Sequence, residues 1–253
     1  MLKEKVIEKV KEKVKDYLTS HQHDAVDLKT VLFDMDGVLF DSMKNHANAW
    51  NQAMKVYGME LSLEEAYMHE GRTGKATINI ISKRERGYEV DEAEATRMYQ
   101  TKSDIFNSLP KAEPMVGAAP LLAHLKETGI TPVLVTGSGQ LSLLDKLNHY
   151  FPDIFHKERM VTAFDVKYGK PNPEPYLMGL KKAGVEANQA VVVENAPLGV
   201  RAGVAAGIFT IAVNTGPLPD SALLDEGANL LFGSMQELYE NWDMVREALN
   251  ARF

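Results

Sequence analysis

The chain has 253 residues, 45% of them apolar and 25% charged, ordinary values for a globular protein with room for one large domain or two smaller ones. Its formal charge of −7, from 28 basic and 35 acidic residues, offers no global basic field to a nucleic acid. It has no cysteine, which excludes disulfides, thiolate nucleophiles and thiolate-held metals and suits a cytoplasmic setting.

Leu2, Val6, Val10, Val14 and Leu18 recur every four residues and predict a helix with one apolar stripe, packed on its own domain or on a neighbour. Acids and lysines interrupt the stretch too often for a signal-peptide core, and no apolar run is long enough to span a bilayer. The lack of aromatic anchors argues against a membrane-surface helix. Thr19 to Asp27 is polar and reads as a linker whose two histidines are solvated.

Apolar runs bounded by turn residues then predict strands at Thr30–Phe33, Pro132–Val135, Ala190–Val193, Thr210–Val213 and Asn229–Phe232. Helical patterns at Ala118–Thr128, Ser142–Tyr150, Glu174–Ala183 and Pro197–Ala206 separate them. Strands alternating with helices predict an α/β fold, a Rossmann-like parallel sheet with helices on both faces. The interval from Met43 to Pro110 holds no convincing strand but several helical stretches, at Asn45–Tyr57, Ser62–His69, Ala76–Arg86 and Asp91–Asn107. That length is too great for a loop, so an inserted helical cap domain is expected. The organisation read from this is an N-terminal helix and linker over 1–27, an α/β core over 28–42 and 115–253, and a cap over 43–114.

Ligands of open α/β sheets bind beyond the carboxyl ends of the strands. The first strand delivers Asp34-Met35-Asp36-Gly37 there, the second Thr136-Gly137-Ser138-Gly139, and the strand at 190–193 delivers Glu194-Asn195. The loop before the Glu174 helix adds Gly169-Lys170-Pro171. Each alone has a dull explanation as a turn or helix cap; together they converge on one end of the sheet. Two carboxylates one residue apart repel each other and resist desolvation. A hard divalent cation such as Mg2+ relieves both costs and takes oxygen ligands. A lysine and a hydroxyl nearby suit a phosphoryl group, so the collection points to phosphoryl transfer.

The stretches D-M-D-G-V-L-F-D-S, V-L-V-T-G-S-G, Y-G-K-P-N-P-E-P-Y and V-V-V-E-N-A-P-L-G resemble, in order and spacing, the four motifs of the haloacid dehalogenase superfamily, in its β-phosphoglucomutase-like branch. H-E-G-R-T-G and E-N-A-P-L-G add a resemblance to bacterial inorganic pyrophosphatases of that superfamily. The resemblance implies that Asp34 is the nucleophile of an aspartyl-phosphate and Asp36 the general acid and then base. It implies Mg2+ held by Asp34, Asp36 and the Glu194-Asn195 segment, phosphoryl contacts from Thr136, Gly137 and Ser138, and charge neutralisation by Lys170.

Two features depart from the branch. Asn195 stands where relatives usually carry a second acid, so the metal site has one negative charge fewer. Glu70 stands in the cap loop where a lysine is expected. One reading has Glu70 complete the metal shell when the cap closes; the other leaves it a solvated loop acid. Arg72 and Lys75 are candidates for phosphate contacts, and His46 is a candidate cap-linker histidine. The leading expectation is a Mg2+-dependent inorganic pyrophosphatase acting on a small phosphorylated substrate. The alternative is a β-phosphoglucomutase or sugar-phosphate phosphatase. A haloacid dehalogenase is disfavoured by Asp36, which that chemistry does not need. A non-catalytic phosphoryl-binding protein is disfavoured by the complete set of Asp34, Asp36, Thr136 and Lys170. The oligomeric state is left open, a monomer being compatible with the pattern.

Overall fold

A computed structural model of the chain describes residues 2–137 and 143–252. Six parallel strands, β1 (Thr30–Phe33), β2 (Thr131–Val135), β3 (Met160–Val161), β4 (Ala190–Glu194), β5 (Phe209–Val213) and β6 (Leu230–Phe232), form one sheet in the order β3-β2-β1-β4-β5-β6. This is the Rossmann order, whose switch point lies between β1 and β4. Successive side chains of a strand go to opposite faces. Val31 and Phe33 therefore join one buried cluster with Leu134, Val191, Val193 and Ile211, while Leu32 joins the other with Val133 and Val192. Both faces are covered, which is why the strands read as continuous apolar runs rather than alternating ones.

The helices are α1 (Leu2–His21), α2 (Met43–Val56), α3 (Leu63–Met68), α4 (Gly74–Arg86), α5 (Glu92–Ser108), α6 (Ala118–Glu127), α7 (Leu143–Tyr150), α8 (Glu174–Ala183), α9 (Pro197–Ala205), α10 (Ser221–Leu224) and α11 (Met235–Leu249). Helix α1 packs along α11, and its Val10, Val14, Tyr17 and Leu18 belong to the same core as Leu238, Trp242 and Val245. The expected linker after it is more ordered than its polar composition suggested. The helix runs on to His21, Val26 is fully buried, and the Asp27 and Lys29 amides donate to Asn188 O and Gln189 O at 3.0 and 2.9 Å. No helix among the described residues is long and apolar enough to cross a membrane.

Helices α2 to α5 follow β1 and precede β2, and they close around their own apolar cluster of Trp50, Met54, Leu61, Ile78, Ile81, Val90 and Met98. Their starts carry capping side chains: Ser62 accepts from the Glu65 amide, Thr73 from Ala76 and Asp91 from Glu94. Ser42, at the start of α2, makes no such cap bond, and its hydroxyl donates to Asp36. The segments entering and leaving this helical unit lie side by side. The Asp41 amide donates to Glu113 O at 2.9 Å, the Met115 amide to Leu39 O at 2.9 Å, and the Asn45 side chain to Pro110 O at 2.8 Å.

Candidate active site

The carboxyl ends of β1 and β4 set the site on either side of the switch point. Asp34, Asp36, Thr136, Lys170, Glu194 and Asn195 are all buried there. Lys170 comes from the loop before α8 and donates to Asp34 Oδ1 at 2.5 Å, Glu194 Oε1 at 2.6 Å and Val135 O at 3.1 Å. Its three donors are thus occupied, and its two acids hold its pKa above the ordinary lysine value although burial opposes this. Glu194 also accepts from the Tyr176 hydroxyl at 2.8 Å, and its other oxygen takes the Asn195 and Ala196 amides at 2.9 and 3.2 Å. Both oxygens are committed to protein donors, so this geometry makes Glu194 the residue that holds Lys170 rather than a ligand with a free oxygen.

Asp34 and Asp36 turn to different partners. The Asp36 amide donates to Asp34 Oδ2 at 3.1 Å, while Asp36 Oδ1 receives the Ser42 hydroxyl and lies 3.2 Å from His46 Nε2. Burial pushes the Asp34 carboxyl well above its ordinary value, with Lys170 opposing and Glu194 and Asp36 adding to it. Burial acts the same way on Asp36, but His46 and Ser42 overcome it and hold that carboxyl below the usual range. His46 Nδ1 lies 2.8 Å from Lys102 Nζ. An ammonium can only donate, so Nδ1 accepts and the proton sits on Nε2, facing Asp36.

Lys102 is a buried lysine on α5, ringed by Trp50, Tyr99 and Phe106, and sequence reasoning missed it. A signal existed: Ala95, Met98 and Lys102 fall on the buried stripe of α5, which places a lysine where the helix faces inward. Burial lowers its pKa, with Glu70 and Asp36 pulling the other way. Glu70 lines the same small pocket as Asp36, His46, Lys102, Tyr99 and Gly137, and its carboxyl is pushed up by burial and by Asp36, against the pull of Lys102. It is not a solvated loop acid. The pocket holds about 50 Å³ of free space, room for a few waters. Gly71, at φ +83°, brings the loop onto the stem of Lys170, where a Cβ would stand 3.0 Å from Lys170 Cδ.

Arg72 lines this pocket, and its buried Nε has no partner among the described residues. Lys75 is not brought to the site: its ammonium pairs with Glu92 on the exposed side of α4. Thr136 and Gly137 stand at the end of β2, where the Thr136 amide donates to Val161 O at 2.9 Å, and Ser138 lies outside the described residues. No group of three or more His, Asp or Glu side chains fit to hold a metal occurs among the described residues. An amide or main-chain oxygen is not in that class, and Asn195 Oδ1 is buried beside Gly37 with no hydrogen-bond partner. An orphaned buried acceptor next to Asp34 and Asp36 is what a Mg2+ site built on oxygen needs, so the residues fit that ion.

Residues 31–213 match the family model of haloacid dehalogenase-like hydrolases. The chain belongs to that family. Hexitol phosphatase A of Escherichia coli (strain K12) is 35% identical over 215 residues, spanning 83% of this chain and 93% of that protein. The phosphorylated carbohydrates phosphatase of Thermotoga maritima is 30% identical, over 79% of this chain and 92% of its own length. A solved structure from Bacteroides vulgatus, carried under the provisional name β-phosphoglucomutase, is 61% identical with a TM-score of 0.94, covering 96% of this chain and 99% of that one. Within the family the chain is β-phosphoglucomutase-like.

Proposed function

We propose that this chain is a Mg2+-dependent phosphatase of small phosphorylated metabolites, working through a phosphoryl group carried on Asp34. The observation that carries the reading is the division of the two aspartates, Asp34 facing Lys170 and Asp36 facing Ser42 and His46. Asp34 attacks phosphorus and Asp36 serves the leaving group and then the incoming water. Lys170, fixed by Glu194, neutralises Asp34 and the transferred group, and Thr136 and Gly137 receive phosphoryl oxygens. Asp34, the Asp36 main chain and Asn195 would hold Mg2+, which would supply charge neutralisation for the phosphoryl oxygens. Residues 43–114 form the cap over a core of 28–42 and 115–253, and its opening admits substrate.

Sugar phosphates are the leading substrates, because the named relatives are phosphatases of hexitols and phosphorylated carbohydrates. This exchanges the expected order of the two readings. Inorganic pyrophosphate stays as a second reading on two specific observations. The pocket, at about 50 Å³, is far smaller than the roughly 300 Å³ of an ordinary small-molecule site, and Glu70 lines it from the cap. Phosphate release measured with Mg2+ over hexitol phosphates, hexose phosphates and pyrophosphate tests both. A kcat/KM for pyrophosphate at least tenfold above every sugar phosphate reverses the order, and no release from any of them refutes the phosphatase reading.

A further inference from the structure

A second cavity lies at the root of the cap, behind the active site. It holds about 470 Å³, within the range of small-molecule sites. Its walls are Asn45 in the first turn of α2, Pro110 and Lys111 on the segment that leaves α5, and Lys146, His149 and Tyr150 on α7 of the core. Phe106 lines both this cavity and the active-site pocket and packs tilted against His46, ring centroids 4.3 Å apart, so one ring divides them.

The side chains that line the cavity carry one sign of charge, while Asp36 and Glu113 act on Lys146 from outside the lining. Two lysines and a histidine face the cavity and no aspartate or glutamate does among the described residues, in a chain whose net charge is −7. Lys146 is half-buried and its ammonium stands 3.8 Å over the Phe40 ring. The remaining wall is apolar or aromatic, with Phe106, Leu109, Pro110 and Tyr150, and two amides, Asn45 and Asn107, that can accept or donate. Cations at one part of a wall and rings at another are what an amphipathic organic anion requires.

We propose that this hinge cavity is a binding site for a small organic anion with an aromatic or aliphatic body, and that its occupation slows turnover by fixing the cap linkers to α7. The start of α2 is already tied to the segment returning from α5, where the Asn45 side chain donates to Pro110 O at 2.8 Å. A ligand touching Lys111 on a linker and Lys146 on the core bridges the two parts whose relative motion opens the cap. The slowing rests on the cap reading given above; the binding does not.

The probe is 8-anilinonaphthalene-1-sulfonate, an aromatic anion that fluoresces when it leaves water. It is titrated into the full chain with Mg2+ and saturating inorganic phosphate, so that the catalytic pocket is filled. Saturable binding that survives phosphate, and that weakens at least tenfold in both Lys111→Gln and Lys146→Gln, is the expected result. Lys111 is exposed, so its variant keeps the fold. The dye is also expected to lower kcat severalfold on the best phosphorylated substrate with KM unchanged. Displacement by phosphate, or equal binding by wild type and both variants, overturns the site. Lysine-dependent binding that leaves kcat untouched overturns the link to the cap. Absence of turnover on every substrate bears on the phosphatase reading instead and leaves the binding result standing.

Discussion

Gly199 lies in the first turns of α9, directly beneath the Glu194 carboxylate. A Cβ at this position would stand 1.8 Å from Oε1 and 2.0 Å from the carboxyl carbon. Ordinary non-bonded contact needs about 3.5 Å, so Gly199→Ala drives the carboxylate or the helix aside by roughly 1.5 Å. Oε1 holds Lys170 at 2.6 Å and Tyr176 at 2.8 Å, and a shift of that size takes both past hydrogen-bond length. Losing two bonds to a charged acceptor, each worth about 1.5–3 kcal/mol, is partly offset as the chain relaxes. A net loss of about 2–4 kcal/mol lowers the melting temperature by roughly 5–12 °C in a chain of this size. Misplacing Lys170 by about 1 Å is expected to lower kcat on the order of 10²-fold. Gly203→Ala, one turn on, is the comparison. Its Cβ would meet Thr210 Oγ1 at 2.7 Å and Val192 Cγ1 at 3.2 Å, away from Glu194, so it should lose stability and keep kcat. Steady-state phosphate release and thermal unfolding of the two variants decide. If Gly199→Ala keeps kcat within threefold of wild type, or Gly203→Ala loses as much, the claim that Glu194 works by holding Lys170 is refuted.

Asp34→Asn should abolish turnover with the fold retained, and Asp36→Asn should fall by roughly 10²–10⁴-fold; a few-fold change in either, with circular dichroism unchanged, rules out the proposed chemistry. Lys102→Met removes the donor that fixes the His46 tautomer and is expected to cost about 10–100-fold in kcat, checked against Lys102→Arg, which should recover part. Burial pushes the Tyr17 hydroxyl from about 10 up to about 12. A proton held more tightly in the folded state stabilises fully below pH 10, and that contribution, about 2–3 kcal/mol, is lost as pH rises towards 12. Urea midpoints should therefore fall more steeply over pH 10–12 in wild type than in Tyr17→Phe, and parallel curves would dismiss the argument.

Long apolar runs made five of the six strands legible, because a strand buried on both faces has nothing polar to interrupt it. The missing one, β3, has two residues, Met160 and Val161, and no pattern can be read from so few. Helix α11 was overlooked although Met235, Leu238, Trp242, Val245 and Leu249 give it a core-facing stripe. Among the site residues, Asp34, Asp36, Lys170 and Asn195 were visible because strand ends and turn residues carry them together. Lys75 was misread because its neighbours in sequence, Gly71 and Arg72, reach the site while the start of α4 turns its own side chain out to Glu92. Lys102 and Ser42 were missed for the opposite reason. One sits in a helix and one at a helix start, and only the packing of the cap shows that neither does the ordinary work of its position.

That packing also explains how two acids can stand one residue apart in a buried place. Asp34 is satisfied from within the sheet, by Lys170 and by the Asp36 amide. Asp36 is satisfied by Ser42, the last residue before α2, and, from the helical insertion, by His46 one turn further on, which α5 backs with Lys102. The pair is therefore split, because His46 and Lys102 reach Asp36 from the helical insertion. If the cap swings, Asp34 keeps its partners and Asp36 loses His46 and Lys102 as a unit, since α2 and α5 pack against each other. Burial alone then governs Asp36 until water reaches it. On the proposed cap motion and aspartate roles, proton transfer is tied to closure, while Asp34 keeps Lys170 and the Asp36 amide whether the cap is open or shut.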